Sequence, residues 1–138
     1  MATMRGLVHH VDLTVNDLDR SAPFYETVLG FLDYRQVRRD PTGMVWDLAA
    51  PHGYSSIAIK PAHAQRAHDR YSAGLHHLAW HAENRADVDR LHAVLRERGI
   101  TILDAPAEYP QYGAGYYAVF FVDPDGLKFE FVHYLPPR

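Results

Sequence analysis

Apolar and polar positions follow a pattern that occurs twice along the 138-residue chain. In each half, a segment with alternating apolar residues precedes a segment with apolar residues at helical spacing, and three strand-like runs follow. The two alternating segments are similar: Gly6-Leu-Val-His-His-Val-Asp-Leu-Thr-Val15 and Ala73-Gly-Leu-His-His-Leu-Ala-Trp-His-Ala82. Alternation indicates a half-buried strand, and helical spacing indicates an amphipathic helix. The pattern therefore predicts two copies of one β-α-β-β-β module.

The two halves contain matching predicted elements. Helices are predicted at 17–29 and 85–98, and Gly30 and Gly99 stand where a glycine commonly follows a helix. The later strands are predicted at 32–38, 44–49 and 55–60 in the first half, and at 101–104, 116–122 and 127–134 in the second. Asp123-Pro-Asp-Gly126, between two apolar runs, predicts a hairpin, because proline presets φ and glycine accepts a positive φ.

These elements predict one domain of two modules over residues 1–138. The first module is expected at 5–60, the second at 73–135, and 61–72 connect them. The expected fold class is α+β, with curved mixed sheets. The single helix of each module can cover only one face of the sheet, and the other face stays uncovered. Functional side chains are expected on the uncovered face.

Strand alternation divides the histidines between the two faces of each predicted sheet. Leu13 and Val15 should face the helix, which leaves His10 on the uncovered face. The same argument leaves His77 there in the fifth strand and Glu130 in the last. Two imidazoles and one carboxylate with open positions are typical of non-haem Fe(II) sites. We therefore predict one divalent metal ion per site, enclosed by the sheets, with Fe(II) favoured and Mn, Ni, Zn or Co as alternatives.

Other polar residues are candidates for acid–base chemistry. Asp12 and His81 share the predicted faces of the ligands, and His63 lies in the connector. His9 and His76 are interpreted as structural residues, because alternation directs them to the other face. For each of the three acid–base candidates, a solvated or structural role is the alternative.

Composition narrows the classes of function. A net charge of −3 provides no basic field for nucleic acid or an anionic membrane. No run approaches the ~20 apolar residues of a membrane span, and the first residues do not resemble a signal peptide. The absence of cysteine excludes disulfides and thiolate sites. We expect a cytoplasmic protein that acts on a small molecule, without a nucleic-acid or membrane partner.

Three segments together resemble those of a known family. They are His10-Val-Asp-Leu-Thr-Val-Asn-Asp-Leu-Asp-Arg-Ser-Ala-Pro-Phe-Tyr25 with Val28-Leu-Gly-Phe31, then Gly74-Leu-His-His-Leu-Ala79, and Asp123-Pro-Asp-Gly-Leu-Lys-Phe-Glu130. With them nearly the whole chain resembles the vicinal-oxygen-chelate superfamily, which contains glyoxalase I, extradiol dioxygenases, fosfomycin resistance proteins and bleomycin-binding proteins. The resemblance implies metal ligation at His10, His77 and Glu130. It also implies a homodimer, with each site built from one chain or from two.

The resemblance further implies a metal-dependent enzyme whose substrate, aromatic or not, chelates through neighbouring oxygens. Glyoxalase I has a fourth ligand, a glutamate, at a position that falls here on Ala58, or on Ile57 in another alignment, and neither residue binds metal. The acid–base tyrosine of extradiol dioxygenases, ten residues before the carboxylate ligand, corresponds to Phe120. An extradiol-type dioxygenase is the leading interpretation. The alternatives are a glyoxalase- or isomerase-like lyase, a thiol transferase, and a non-catalytic binding or antibiotic-resistance protein.

The segment 109–117 combines tyrosines with glycine and proline directly before the last predicted hairpin. Tyr116, Tyr117 and Phe120 are candidate substrate contacts, because aromatic side chains can line the site of an aromatic ligand. An ordinary surface loop with stacked tyrosines is the alternative.

Overall fold

Two four-stranded sheets, each accompanied by one helix, follow one another along the chain. The structure, a computed structural model, describes residues 4–51 and 53–137. The chain divides between Arg66 and Ala67 into two compact units, and this boundary falls within the predicted connector 61–72. Each unit has the element order β-α-β-β-β, so the predicted fold class is confirmed.

The first unit contains a mixed sheet of order β1-β4-β3-β2. Strand β1 pairs with β4 in parallel, and the other two pairings are antiparallel. The elements are β1 (His10–Val15), α1 (Leu18–Phe31), β2 (Arg35–Asp40), β3 (Gly43–Ala50) and β4 (Gly53–Pro61).

The second unit repeats this arrangement with a sheet of order β5-β8-β7-β6. Strand β5 pairs with β8 in parallel, which places β8 between β5 and β7. The elements are β5 (His77–His81), α2 (Arg85–Glu97), β6 (Ile102–Glu108), β7 (Tyr117–Val122) and β8 (Lys128–His133). In the described part of the chain, neither helix has the length and apolar character needed to cross a membrane.

Both helices begin with a side-chain cap, as their sequences favour. The carboxylate of Asp17 accepts a hydrogen bond from the backbone N–H of Arg20 at 3.0 Å, and Asn84 does the same for Asp87 at 2.8 Å. Each helix buries one apolar stripe. Its fully buried members are Tyr25, Val28 and Leu29 in α1, and Val88, Leu91 and Leu95 in α2.

The ends of the helices correct one prediction. Gly99 follows α2 with a φ of 67°, as expected, but Gly30 lies inside α1. The helix continues through Phe31, and the positive φ that ends this turn belongs to Asp33, at 68°. Aspartate tolerates this region better than most residues, because its short polar side chain can bond locally. The turn after α1 therefore does not need glycine.

Strand β6 is longer than the sequence indicated, because it continues through Pro106 to Glu108. Proline cannot donate to a ladder and is tolerated at a sheet edge or a bulge. Strand β6 lies at the edge of its sheet, and its register shifts between Asp104 and Ala107, on either side of the proline. Pro106 thus lies both at a sheet edge and at a register shift, so the strand can continue through it.

Burial confirms the alternation predicted for β1. Leu13 and Val15 are buried, whereas His10, Asp12 and Thr14 are exposed. The central strands of both units differ from β1, because each has a run of consecutive buried residues. Strand β7 has four consecutive buried residues, and β8 buries Phe129, Glu130 and Phe131 in succession.

Candidate metal centre

Glu130 is a carboxylate buried in the middle of an apolar sheet. Its exposed fraction is 3%, and its neighbours on the adjacent strands are Ala79 on β5 and Phe120 on β7. Burying a carboxylate is costly unless partners compensate for the lost water. The contacts made by its two oxygens therefore define this site.

Each oxygen of Glu130 has one polar partner. Nε2 of His77 lies 3.0 Å from Oε1, and the hydroxyl of Tyr116 donates a short hydrogen bond to Oε2. Burial raises the pKa of Tyr116 well above its usual value, and the hydrogen bond to Glu130 raises it further. The phenol therefore keeps its proton near neutral pH and acts as the donor in this pair.

Tyr116 belongs to a group of four tyrosines in mutual ring contact, and we call Tyr109, Tyr112, Tyr116 and Tyr134 the tyrosine cluster. Tyr116 lies 5.3 Å from Tyr112 and 5.2 Å from Tyr134 between ring centroids. Tyr109 lies edge-on to Phe120 at 5.4 Å. The segment before β7 thus packs through ring contacts, which extend to Tyr134 and Phe120.

The three predicted substrate contacts do not share one face of the sheet. Tyr116 and Phe120 lie on the side of Glu130. The hydroxyl of Tyr117 instead donates to Asp89 on α2 at 2.6 Å, and the guanidinium of Arg85 lies 4.7 Å from the ring centroid. Successive residues point to opposite faces, so Tyr117 is on the helix side. The structure therefore separates Tyr117 from Tyr116 and Phe120, and the role of all three as substrate contacts stays a prediction.

In the first unit, the strand register separates Ala58 and Ile57, the two residues that alternative alignments assign to the fourth glyoxalase I ligand position. Asp12 of β1 is paired with Ala58 of β4, while Val11 is paired with Ile57. His10 shares a face with Asp12, so Ala58 is the residue on the ligand's face, and Ile57 faces α1. A methyl group cannot bind a metal ion, so this position contributes no ligand.

The three acid–base candidates all have exposed side chains. Asp12 forms an ion pair with Lys60, with 3.0 Å between Oδ2 and Nζ. His81 is exposed at the end of β5, and His63 is exposed shortly after β4. Their participation in acid–base chemistry stays a prediction.

Each predicted histidine ligand contacts the histidine that precedes it. The Nδ1 atoms of His9 and His10 lie 2.9 Å apart, and those of His76 and His77 lie 2.7 Å apart. The sequence contained this signal as a repeated His-His pair, but alternation assigned His9 and His76 to the opposite face. Strands β1 and β5 begin at His10 and His77. At the first residue of a strand the alternation is not yet established, and the two rings can turn toward each other.

The second unit brings together two of the three predicted ligands, His77 and Glu130, while His10 belongs to the first unit. Within 4–51 and 53–137, no group of three or more histidine, aspartate or glutamate side chains is arranged to hold a metal ion. An imidazole nitrogen next to a buried carboxylate oxygen is a donor set suited to a divalent transition metal. The two residues therefore fit part of the predicted ligand set.

The chain is similar in sequence to members of one protein family. Residues 7–131 match the model of the Glyoxalase/Bleomycin resistance protein/Dioxygenase superfamily. The YqjT protein of Bacillus subtilis (strain 168), an uncharacterized protein, is 32% identical over 125 residues. The match covers 91% of this chain and 97% of YqjT.

Solved structures from the same family share the fold. A Bacillus halodurans protein assigned as a glyoxalase has a TM-score of 0.78 and 32% identity, covering 95% of this chain and 98% of its own. A glyoxylase/bleomycin resistance protein/dioxygenase domain from Frankia sp. EAN1pec has a TM-score of 0.68 and 26% identity, covering 91% and 95%. The family inferred from the sequence motifs is confirmed: this chain belongs to the Glyoxalase/Bleomycin resistance protein/Dioxygenase superfamily.

Proposed function

We propose that this protein is a divalent-metal-dependent enzyme acting on a small substrate that chelates through neighbouring oxygens. The observation that carries the proposal is the buried carboxylate of Glu130, held between His77 and Tyr116. A protein that only sequesters an apolar compound gains nothing from a buried carboxylate, which costs free energy. A metal centre does gain from one, because a carboxylate supplies a negatively charged oxygen ligand.

The proposed ligands are His77, Glu130 and His10. The first two lie side by side on β5 and β8, with 3.0 Å between Nε2 and Oε1. His10 lies on the exposed face of β1 in the first unit. Three protein ligands leave two or three coordination positions for water and substrate oxygens. We further propose a homodimer, in which His10 comes from the same chain as the other ligands or from the second copy.

The chain's own groups prepare this site for chelation chemistry. A bound metal ion would act as a Lewis acid that lowers the pKa of a substrate hydroxyl or stabilises an enolate. Tyr116 holds Oε2 of Glu130 and thereby leaves Oε1 next to His77. The burial of Glu130 lowers the polarity around its carboxylate, which strengthens electrostatic interactions there. Asp12, His81 and His63 are the side chains proposed to move protons.

An extradiol-type dioxygenase with Fe(II) is the subtype that we favour. The three-ligand set supports it, because Ala58 occupies the fourth glyoxalase I position. Phe120 is paired with Glu130 across β7 and β8. It occupies the position where a dioxygenase of this type has its acid–base tyrosine, so the proton carrier is sought among Asp12, His81 and His63. A glyoxalase- or isomerase-like lyase, a thiol transferase and a non-catalytic binding protein are the alternatives.

Metal analysis tests the proposed centre directly. Protein purified without chelator should contain about one divalent metal ion per site by mass spectrometry, and Glu130→Ala should lose it. Glu108→Ala is a matched control, because Glu108 is an exposed carboxylate on β6 that pairs with Arg85. Substoichiometric metal that does not respond to Glu130→Ala would contradict the metal-dependent function.

Oxygen consumption tests the subtype separately. Fe(II)-loaded protein should consume oxygen with at least one member of a panel of catechols. The absence of uptake across the panel would reject the dioxygenase and leave the metal centre intact for lyase and transferase assays.

A further inference from the structure

The two proposed histidine ligands share a contact that the proposed chemistry does not use. In both units, the Nδ1 atom of the ligand histidine lies within hydrogen-bond distance of Nδ1 of the preceding histidine, at 2.9 Å and 2.7 Å. The rings are nearly perpendicular in both pairs, at 84° and 73°. The pairs occur in different surroundings, next to Tyr54 in the first unit and Tyr71 in the second. The contact therefore follows from the repeated His-His sequence at the start of a strand.

A hydrogen bond between two Nδ1 atoms constrains where the protons are. One Nδ1 must carry a proton and the other must present its lone pair, so the rings of a neutral pair are opposite tautomers. A histidine that binds metal through Nε2 carries its proton on Nδ1. A partner that accepts this proton fixes the tautomer and the ring orientation.

We propose that His76 and His9 are positioning residues for the metal centre. Each accepts a hydrogen bond from Nδ1–H of the following histidine, so that Nε2 of His77 and of His10 presents its lone pair to the metal ion. Nε2 of His77 is the nitrogen that lies next to Glu130, at 3.0 Å from Oε1, which is the orientation this role requires. The inference rests on the proposed function, because it assumes that His10 and His77 are ligands.

The direction of the bond in the second unit depends on metal loading. When no metal ion is bound, a carboxylate oxygen next to Nε2 of His77 favours a proton on that nitrogen, so Nδ1 of His77 accepts from His76. In the metal-bound form, Nδ1 of His77 would carry a proton and Nδ1 of His76 would accept it. Nε2 of His76 would then take a proton from solvent in place of the one that Nε2 of His77 releases. His76 is exposed, so solvent reaches it.

Zinc binding to variants of His76 tests this role. We expect His76→Phe to weaken Zn²⁺ binding about 10- to 100-fold, as loss of an outer partner of a ligand usually does. His76→Asn should remain within a few-fold of the native protein, because its Oδ1 is attached to Cγ like the imidazole Nδ1 and still accepts. His92→Phe, on α2, is the matched control and should bind Zn²⁺ as the native protein does. The dissociation constants are measured by competition with a chromophoric chelator.

Nitrogen-15 NMR of the native protein and of His76→Phe provides a second readout, which reports the tautomers directly. In the Zn²⁺ form, His77 should be protonated on Nδ1 and His76 on Nε2; the Nδ1 proton of His77 should exchange rapidly with water in His76→Phe. Native-like affinity in both variants would overturn the positioning role, as would an equal loss in His76→Phe and His76→Asn. If the native protein itself binds no Zn²⁺, the proposed function fails first and the inference with it.

Discussion

Tyr116 and Tyr117 are adjacent residues whose hydroxyls bind carboxylates on opposite faces of one sheet. Tyr116 donates to buried Glu130, and Tyr117 donates to Asp89 on α2. The two bonds have similar chemistry and differ in their surroundings. The two tyrosines thus allow a hydrogen bond at the proposed metal centre to be compared with a purely structural hydrogen bond at the surface of α2.

Removal of these two hydroxyls should have unequal effects. Tyr116→Phe leaves Oε2 of Glu130 buried without a donor, and we expect a loss of about 1–3 kcal/mol in the free energy of unfolding. It should also weaken metal binding, because the carboxylate is no longer oriented. Tyr117→Phe frees a carboxylate that water can reach, so its cost should be smaller and metal binding should be unchanged. Urea denaturation and metal titration of both variants measure this, and equal effects on metal binding would contradict the role given to Tyr116.

At the scale of elements, the sequence predicts well those features that depend on local chemistry. The caps at Asp17 and Asn84 and the buried stripes of both helices follow from side-chain type and spacing. The alternation of β1 follows in the same way. The fold could therefore be predicted from the pattern and the family motifs. So could the proximity of two of the three predicted ligands, His77 and Glu130.

The features that the sequence did not predict depend on contacts between elements. The position of Tyr116 next to Glu130 depends on the register of β7 on β8 and on the loop before β7. The hydrogen bond of Tyr117 depends on Asp89, which is 28 residues away along the chain. The contacts of His9 and His76 depend on where β1 and β5 begin. Alternation is a local rule, and it does not determine any of these three features.

The loop before β7 contains a glycine that its packing requires. A Cβ at Gly113 would lie 2.5 Å from the ring of Tyr134, and φ there is 152°. We expect Gly113→Ala to destabilise the protein by about 1–3 kcal/mol through this overlap and the backbone strain, and to displace the tyrosine cluster from Glu130. Gly115→Ala shares only the positive φ, since a Cβ there meets nothing within 4 Å. In thermal unfolding, the midpoint temperature of Gly113→Ala should be lower than that of Gly115→Ala. The reverse order would contradict the packing argument.

At the scale of the whole molecule, the proposed ligands belong to different units. His77 and Glu130 belong to the second unit and His10 to the first. In the proposed homodimer, His10 of each site comes either from the same chain as His77 and Glu130 or from the second copy.

Mixing two inactive variants distinguishes these two arrangements. His10→Ala and Glu130→Ala should each lose metal binding alone. If each site takes His10 from one chain and His77 with Glu130 from the other, a mixed dimer contains one intact site. Metal binding should then partly recover after the variants are unfolded and refolded together. A site built within one chain would give no recovery, and a monomeric mass by light scattering would contradict the dimer.

The parallel pairing of β5 with β8 has a consequence for the kinetics of folding. It brings together residues such as His77 and Glu130, which are 53 positions apart in the chain. Closing the segment between β5 and β8 costs conformational entropy before the contacts between the two strands can form. This pairing is therefore expected late on the folding pathway. An ion that bridges β5 and β8 acts on a contact absent from the transition state. It would lengthen the lifetime of the folded protein by slowing unfolding, and would leave the rate of folding nearly unchanged.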